Sequence, residues 1–243
     1  MIYVNAAIAA GKSSLTKILS EDLGTKAFYE HVEDMPMLKK FYAHSKESRS
    51  RYSFALQIAF LNYRYGQLLE GITLAEQGMR NTVYDSSLLS DSLMAHNLYK
   101  QGEFPQEEYD VYVGLLQRMQ SNVASRPFNS FPDLVIYLDI SFEKMLEHIQ
   151  LRGREMEDVR KDKTLIAYYK SVWETYRAWS KSYSQSPMVT IDMNSLDFVN
   201  SKKDRLTVLD TIERRMYSLG LLSKAEYLKL FDKHTEQYTK LAS

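Results

Sequence analysis

The chain has 243 residues, 44% of them apolar, with 31 basic against 31 acidic side chains and a formal net charge of zero. That length buries a sizeable core and makes one α/β domain the default, while the charge balance gives no global field for nucleic acid or an anionic membrane. Cysteine is absent, which excludes disulfides, thiolate nucleophiles and cysteine-type zinc sites, and no apolar run nears the roughly eighteen residues that span a bilayer.

Ile2-Tyr3-Val4 is a β-branched and aromatic run that reads as the first strand. Because the chain enters this strand at once, no secretory leader is expected, and a cytoplasmic setting is. Ala6 to Ser13, closing on Gly11-Lys12-Ser13, leads into Ser14 to Leu23, where Leu15, Ile18 and Leu19 share one helical face and Gly24 marks the stop. Strand, tight loop and helix make the setting of a phosphate-binding loop. Backbone N–H groups of Ala9, Ala10, Gly11, Lys12, Ser13 and Ser14, with the positive end of the helix dipole, would surround a polyphosphate. Lys12 would reach its outer phosphates and the Ser13 hydroxyl would hold Mg²⁺. The motif G-x-x-x-x-G-K-[ST] wants glycine where Ala6 stands, for a sharp turn and a close phosphate.

Ala27 to Val32 suits a second strand with Glu30 near its end, and Met35-Pro36 punctuates the chain after it. Residues 49–76 form the longest helical stretch, apolar at Tyr52, Leu56, Phe60, Leu68 and Ile72. Thr82 to Asp85 is the third strand, Ser87 to Tyr99 a helix stopped by Gly102 and Pro105, and Glu107 to Val123 another, ended by a loop with Pro127 and Pro132. Leu134 to Asp139 is an unbroken apolar run, as in a parallel interior strand. Next come a helix over Phe142 to Leu151, a charged turn over Arg152 to Asp158, a Tyr/Trp-rich helix over Thr164 to Tyr183 and a last strand over Met188 to Asp192. Polar helices over 202–218 and 222–241 would cap the domain. Strands alternating with helices give an α/β fold, a parallel five-stranded sheet with helices on both faces.

Asp85, acidic at a strand end, pairs with Ser13 as an Mg²⁺ ligand set; its plain alternative is a strand-end cap. Glu30 beside the loop could take a proton from an attacking hydroxyl, or face solvent with Glu33 and Asp34. Arg152 and Arg154, with Glu157, have the makings of a lid over a transferring phosphoryl, or of a solvated charge run. Gln57 and Arg64 lie two turns apart on one helix face, and with Asp91 they either line a pocket or lie on the surface. Histidines stand at 31, 44, 96, 148 and 234 with no ligand spacing, so no histidine metal site is expected.

In order and spacing these pieces resemble the deoxynucleoside kinase family, most closely its bacterial purine branch, from Ile2 to about residue 218. Ile8-Ala9-Ala10-Gly11-Lys12-Ser13 is similar to its phosphate loop, and Phe28-Tyr29-Glu30 to the segment carrying its base for the 5′-hydroxyl. Tyr42 resembles the tyrosine at the sugar 3′-hydroxyl, and Gln57 the glutamine reading the base edge, with Arg64 paired to Asp91. Leu151-Arg152-Gly153-Arg154 resembles the lid, Glu157 its carboxylate, and Leu196-Asp197-Phe198 the loop bordering the adenine of the donor. The resemblance implies a P-loop fold over 1–218 with a helical extension over 219–243, ATP and Mg²⁺ as cofactors, and a deoxynucleoside as substrate. It also implies a homodimer, with a heterodimer of homologues as the alternative. The chain departs from the family at three places: Ser86 and His148 stand where arginines are usual, and Ala6 where glycine is. Two readings are open, a deoxynucleoside 5′-kinase, or a kinase-fold subunit that binds nucleosides beside an active homologue.

Overall fold

The computed structural model describes residues 1–30, 35–43, 45–124 and 131–242. Five strands form one all-parallel sheet: β1 (Ile2–Ala6), β2 (Ala27–Phe28), β3 (Val83–Asp85), β4 (Leu134–Asp139) and β5 (Met188–Asp192), in the order β2-β3-β1-β4-β5. Central β1 lies between β3, with Ile2 opposite Val83, and β4, with Ile2 opposite Leu134. Both neighbours cover it, and all five of its residues are buried. The strand order reverses beside β1, so its carboxyl end and that of β3 open onto one crevice, where open α/β sheets bind ligands.

Nine helices complete the fold among the described residues: α1 (Lys12–Leu23), α2 (Pro36–Phe41), α3 (Ser45–Glu76), α4 (Leu88–Lys100), α5 (Gln106–Ala124), α6 (Phe142–Arg152), α7 (Thr164–Ser182), α8 (Lys202–Ser218) and α9 (Lys224–Ala242). A 3-10 turn, Glu155–Glu157, follows α6. Helix α3 lies so close to the sheet that a Cβ on Gly71 would fall 1.7 Å from the Tyr84 hydroxyl. Only glycine allows that approach. Among the described residues, no helix is long and apolar enough to cross a membrane.

Three elements differ from the sequence reading. The second strand ends at Phe28 rather than Val32, because Gln67 Nε2 of α3 donates to the Tyr29 carbonyl at 2.7 Å and takes it from the ladder. His31, Val32, Glu33 and Asp34 lie outside the described residues, as do His44 and Pro127. Helix α2, with Pro36 at its first turn, stands where the sequence shows only punctuation, and α3 starts at Ser45, four residues before the expected start. Just past that added turn, the buried guanidinium of Arg49 donates Nε to Glu103 at 2.9 Å.

Candidate active site

The phosphate loop occupies the turn from β1 to α1. Ala6 is the last residue of β1 and 1% exposed; the left-handed positions are Ala9, at φ +57°, and Gly11, at φ +96°. The expectation that residue 6 needs glycine is therefore corrected, since the turn falls later in the loop. A Cβ on Gly11 would come 3.1 Å from Phe198 Cζ. Phe198 is fully buried and supports the loop from behind, which corrects its assignment as a wall of the nucleotide site; Asp197, beside it, does line the cleft. His148 donates Nδ1–H to the Ala9 carbonyl at 3.2 Å, so the residue standing where an arginine is usual holds the loop's strained turn.

From α1, Ser13 Oγ donates to Asp85 Oδ2 at the end of β3. Lys12 Nζ lies 3.4 Å from the carbonyls of Ala6 and Ala7. Burial pushes the Lys12 ammonium below its ordinary pKa, and Asp85 and Glu30 pull it back up. Burial likewise pushes the Asp85 carboxyl up against the pull of Lys12. Its second oxygen, Oδ1, is buried without a hydrogen-bond partner. An orphaned carboxylate oxygen beside a serine hydroxyl is the donor set of a hard divalent cation, so these residues fit Mg²⁺.

One guanidinium joins the other half of the site. Arg64 of α3, 3% exposed, donates Nε to Asp91 Oδ1 of α4 at 2.7 Å, Nη1 to the Asp85 carbonyl at 3.1 Å and Nη2 to Glu30 Oε1 at 2.6 Å. The pairing with Asp91 agrees with the sequence reading; the grip on Glu30 has no counterpart there. Ser86 itself takes φ +75° as the chain leaves β3, and Ser87 then caps α4 by accepting from the Ser90 N–H. Burial lifts the Asp91 carboxyl to about 6, with Arg64 opposing.

Gln57, on the same face of α3 as Arg64, is 3% exposed with Oε1 unpartnered, and Asp91 Oδ2 is unpartnered too. Such orphaned buried groups await a polar ligand, because leaving them unpaired costs about 1–3 kcal/mol each. Tyr42, at the end of α2, packs edge-on to Phe41 at 5.0 Å. Burial and the nearby Glu157 carboxylate raise its phenol. Glu157 is buried, ion-paired to Arg152 and 3.6 Å from Arg154 Nη1. These residues, with Ala9 to Ser14, Glu30 and Asp85, line one cleft of about 750 Å³. Sequence reasoning missed Tyr168 and Tyr176 of α7 and Lys144 of α6 on the same wall. The aromatic density of α7 was the one available signal, and it reads equally as core.

A family model described as Deoxynucleoside kinase matches residues 2–217. The chain is 40% identical to a deoxyguanosine kinase of Lactobacillus johnsonii over 220 residues, 90% of this chain and 94% of that one. It is 35% identical to a deoxyadenosine kinase of Lactobacillus acidophilus over 222 residues, 91% of this chain and 99% of that one. A solved deoxyadenosine kinase from M. mycoides with bound dATP is similar in fold, with a TM-score of 0.66 at 23% identity, over 87% of this chain and 98% of that one. The family match takes in all five strands of the sheet, and the chain belongs to the deoxynucleoside kinases.

Proposed function

We propose that this deoxynucleoside kinase transfers the γ-phosphoryl of ATP to the 5′-hydroxyl of a purine deoxynucleoside. The observation that carries the reading is Glu30, held by Arg64 in the cleft that Gly11, Lys12 and Ser13 also line. Bound ATP·Mg²⁺ supplies the phosphoryl group and part of the charge neutralisation. Arg64 occupies Glu30 Oε1 and leaves Oε2 for the proton of the 5′-hydroxyl, whose oxygen then attacks the γ-phosphorus as ADP leaves. Lys12, Arg152 and Arg154 offset the charge on the phosphoryl oxygens. Gln57 and Asp91, with their orphaned oxygens, face the base, and Tyr42 and Glu157 face the sugar. Ser13 and Asp85 hold the Mg²⁺.

The purine preference rests on the names of the relatives above. A chain that only binds nucleosides finds less support, because those relatives are named as kinases and Arg64 holds Glu30 in the cleft. A cytoplasmic homodimer, or a heterodimer with a homologue, completes the proposal; light scattering of the purified chain, alone and with a homologue, distinguishes the two. For the base, Glu30→Gln should lower kcat by a factor of about 10² to 10⁴ and leave deoxynucleoside affinity within a few-fold of wild type. Normal turnover in that variant would remove Glu30 from the role.

A further inference from the structure

The chain continues past the family match at residue 217 into α9, and the contacts that dock this helix include an arrangement the kinase reaction does not use. Asp22, in the last turn of α1, Glu213 of α8 and His234 of α9 come together so that one ligand atom from each lies within 4.8 Å of the other two. Their side chains are 8%, 1% and 8% exposed. His234 Nε2 lies 3.0 Å from Asp22 Oδ1, which also accepts from Lys233 Nζ at 2.6 Å. An Nε2–H donated to Asp22 leaves His234 Nδ1 as a bare lone pair, 3.4 Å from Glu213 Oε2. The Asp22 and Glu213 carboxyl groups are hydrogen-bonded to one another, while His234 Nδ1 is buried with no hydrogen-bond partner.

We propose that Asp22, Glu213 and His234 form a site for a divalent metal of the zinc class, which ties the C-terminal helix to the far end of the phosphate-loop helix. One imidazole and two carboxylates are a borderline N/O donor set suited to Zn²⁺ rather than Mg²⁺. The ligand atoms of a tetrahedral zinc lie about 3.3 Å apart, a small contraction of the arrangement seen. Asp22 also sits at the negative end of the α1 dipole, where that helix has no basic residue in its last turn, so a cation there is favoured by the field.

Calorimetric titration of the metal-stripped, nucleotide-free protein with ZnCl₂ tests the site. The expected result is one Zn²⁺ per chain and a thermal midpoint raised by a few degrees. Glu213→Gln keeps the size and shape of the side chain but removes its charge, so its metal-free midpoint should stay near wild type while Zn²⁺ affinity falls at least tenfold. Asp85→Asn should bind Zn²⁺ as wild type does, which separates this site from the nucleotide cleft. X-ray absorption of the zinc-loaded wild type should show an N/O shell with one imidazole. No isotherm, unchanged affinity in Glu213→Gln, loss of binding in Asp85→Asn, or a shell without imidazole would each overturn the proposal.

Discussion

Arg64 places its three nitrogens on three elements: Nε on Asp91 of α4, Nη1 on the carbonyl that ends β3, and Nη2 on Glu30 beyond β2. A lysine is a point charge and cannot span that fork. Arg64→Gln strands two carboxylates in the cleft wall, so it should lower unfolding free energy by about 3–5 kcal/mol in denaturant titration; Arg64→Lys should recover only part of it. The partner carboxylate gives a pH prediction. Asp91 is raised from 3.8 to about 6 by burial, so its contribution to stability is fully present below 3.8 and is lost as pH rises through about 6. Acidification from pH 7 to 5 therefore costs no stability through Asp91. It does weaken the grip on Arg64 and on the base, so deoxynucleoside affinity should fall below about pH 6 in wild type and lose that inflection in Asp91→Asn. The sequence signals Arg64 and Asp91 by helical spacing and family likeness. Arg64's hold on Glu30 joins residues 34 positions apart and depends on where β2 ends, which no local pattern encodes.

At the scale of elements, the phosphate loop shows how a motif can break a rule without losing its shape. Glycine is needed where φ is positive and the backbone is crowded, and here that is Gly11, not residue 6. Gly11→Ala meets both a left-handed φ and the Phe198 ring, at a cost of about 1–3 kcal/mol. It should reduce ATP affinity at least tenfold in an equilibrium binding assay. Ala6→Gly, which restores the written motif, should not improve ATP binding, and it loosens the last residue of a central strand by about 0.5–1 kcal/mol. Strands β1 and β4 and the long helices are legible in the sequence because burial on both faces, or on one stripe, writes a clear hydrophobic pattern. Edge strand β2 and short α2 are not, because their limits are set by Gln67 on the Tyr29 carbonyl and by the fit of Tyr42 against Phe41 and Tyr168.

For the molecule as a whole, the strand order brings β1, β3 and the start of α1 to one crevice, and α3 and α4 close it with Gln57, Arg64 and Asp91. Strand and helix order can be read from the chain, and so can the chemistry of most side chains in the cleft. The inward burial of Phe198 cannot, nor the gathering of His234 with Asp22 and Glu213, since each needs contacts between residues roughly two hundred positions apart. The departures at 6 and 148 have structural answers: an extended backbone at Ala6, and His148 on the loop carbonyl of Ala9. The direct test is to incubate the purified chain with γ-labelled ATP, Mg²⁺ and each of deoxyguanosine, deoxyadenosine and deoxycytidine. The account predicts labelled 5′-monophosphate, with a purine preferred and the label lost in Glu30→Gln. No product from any deoxynucleoside, from wild type and from Ser86→Arg alike, would contradict it.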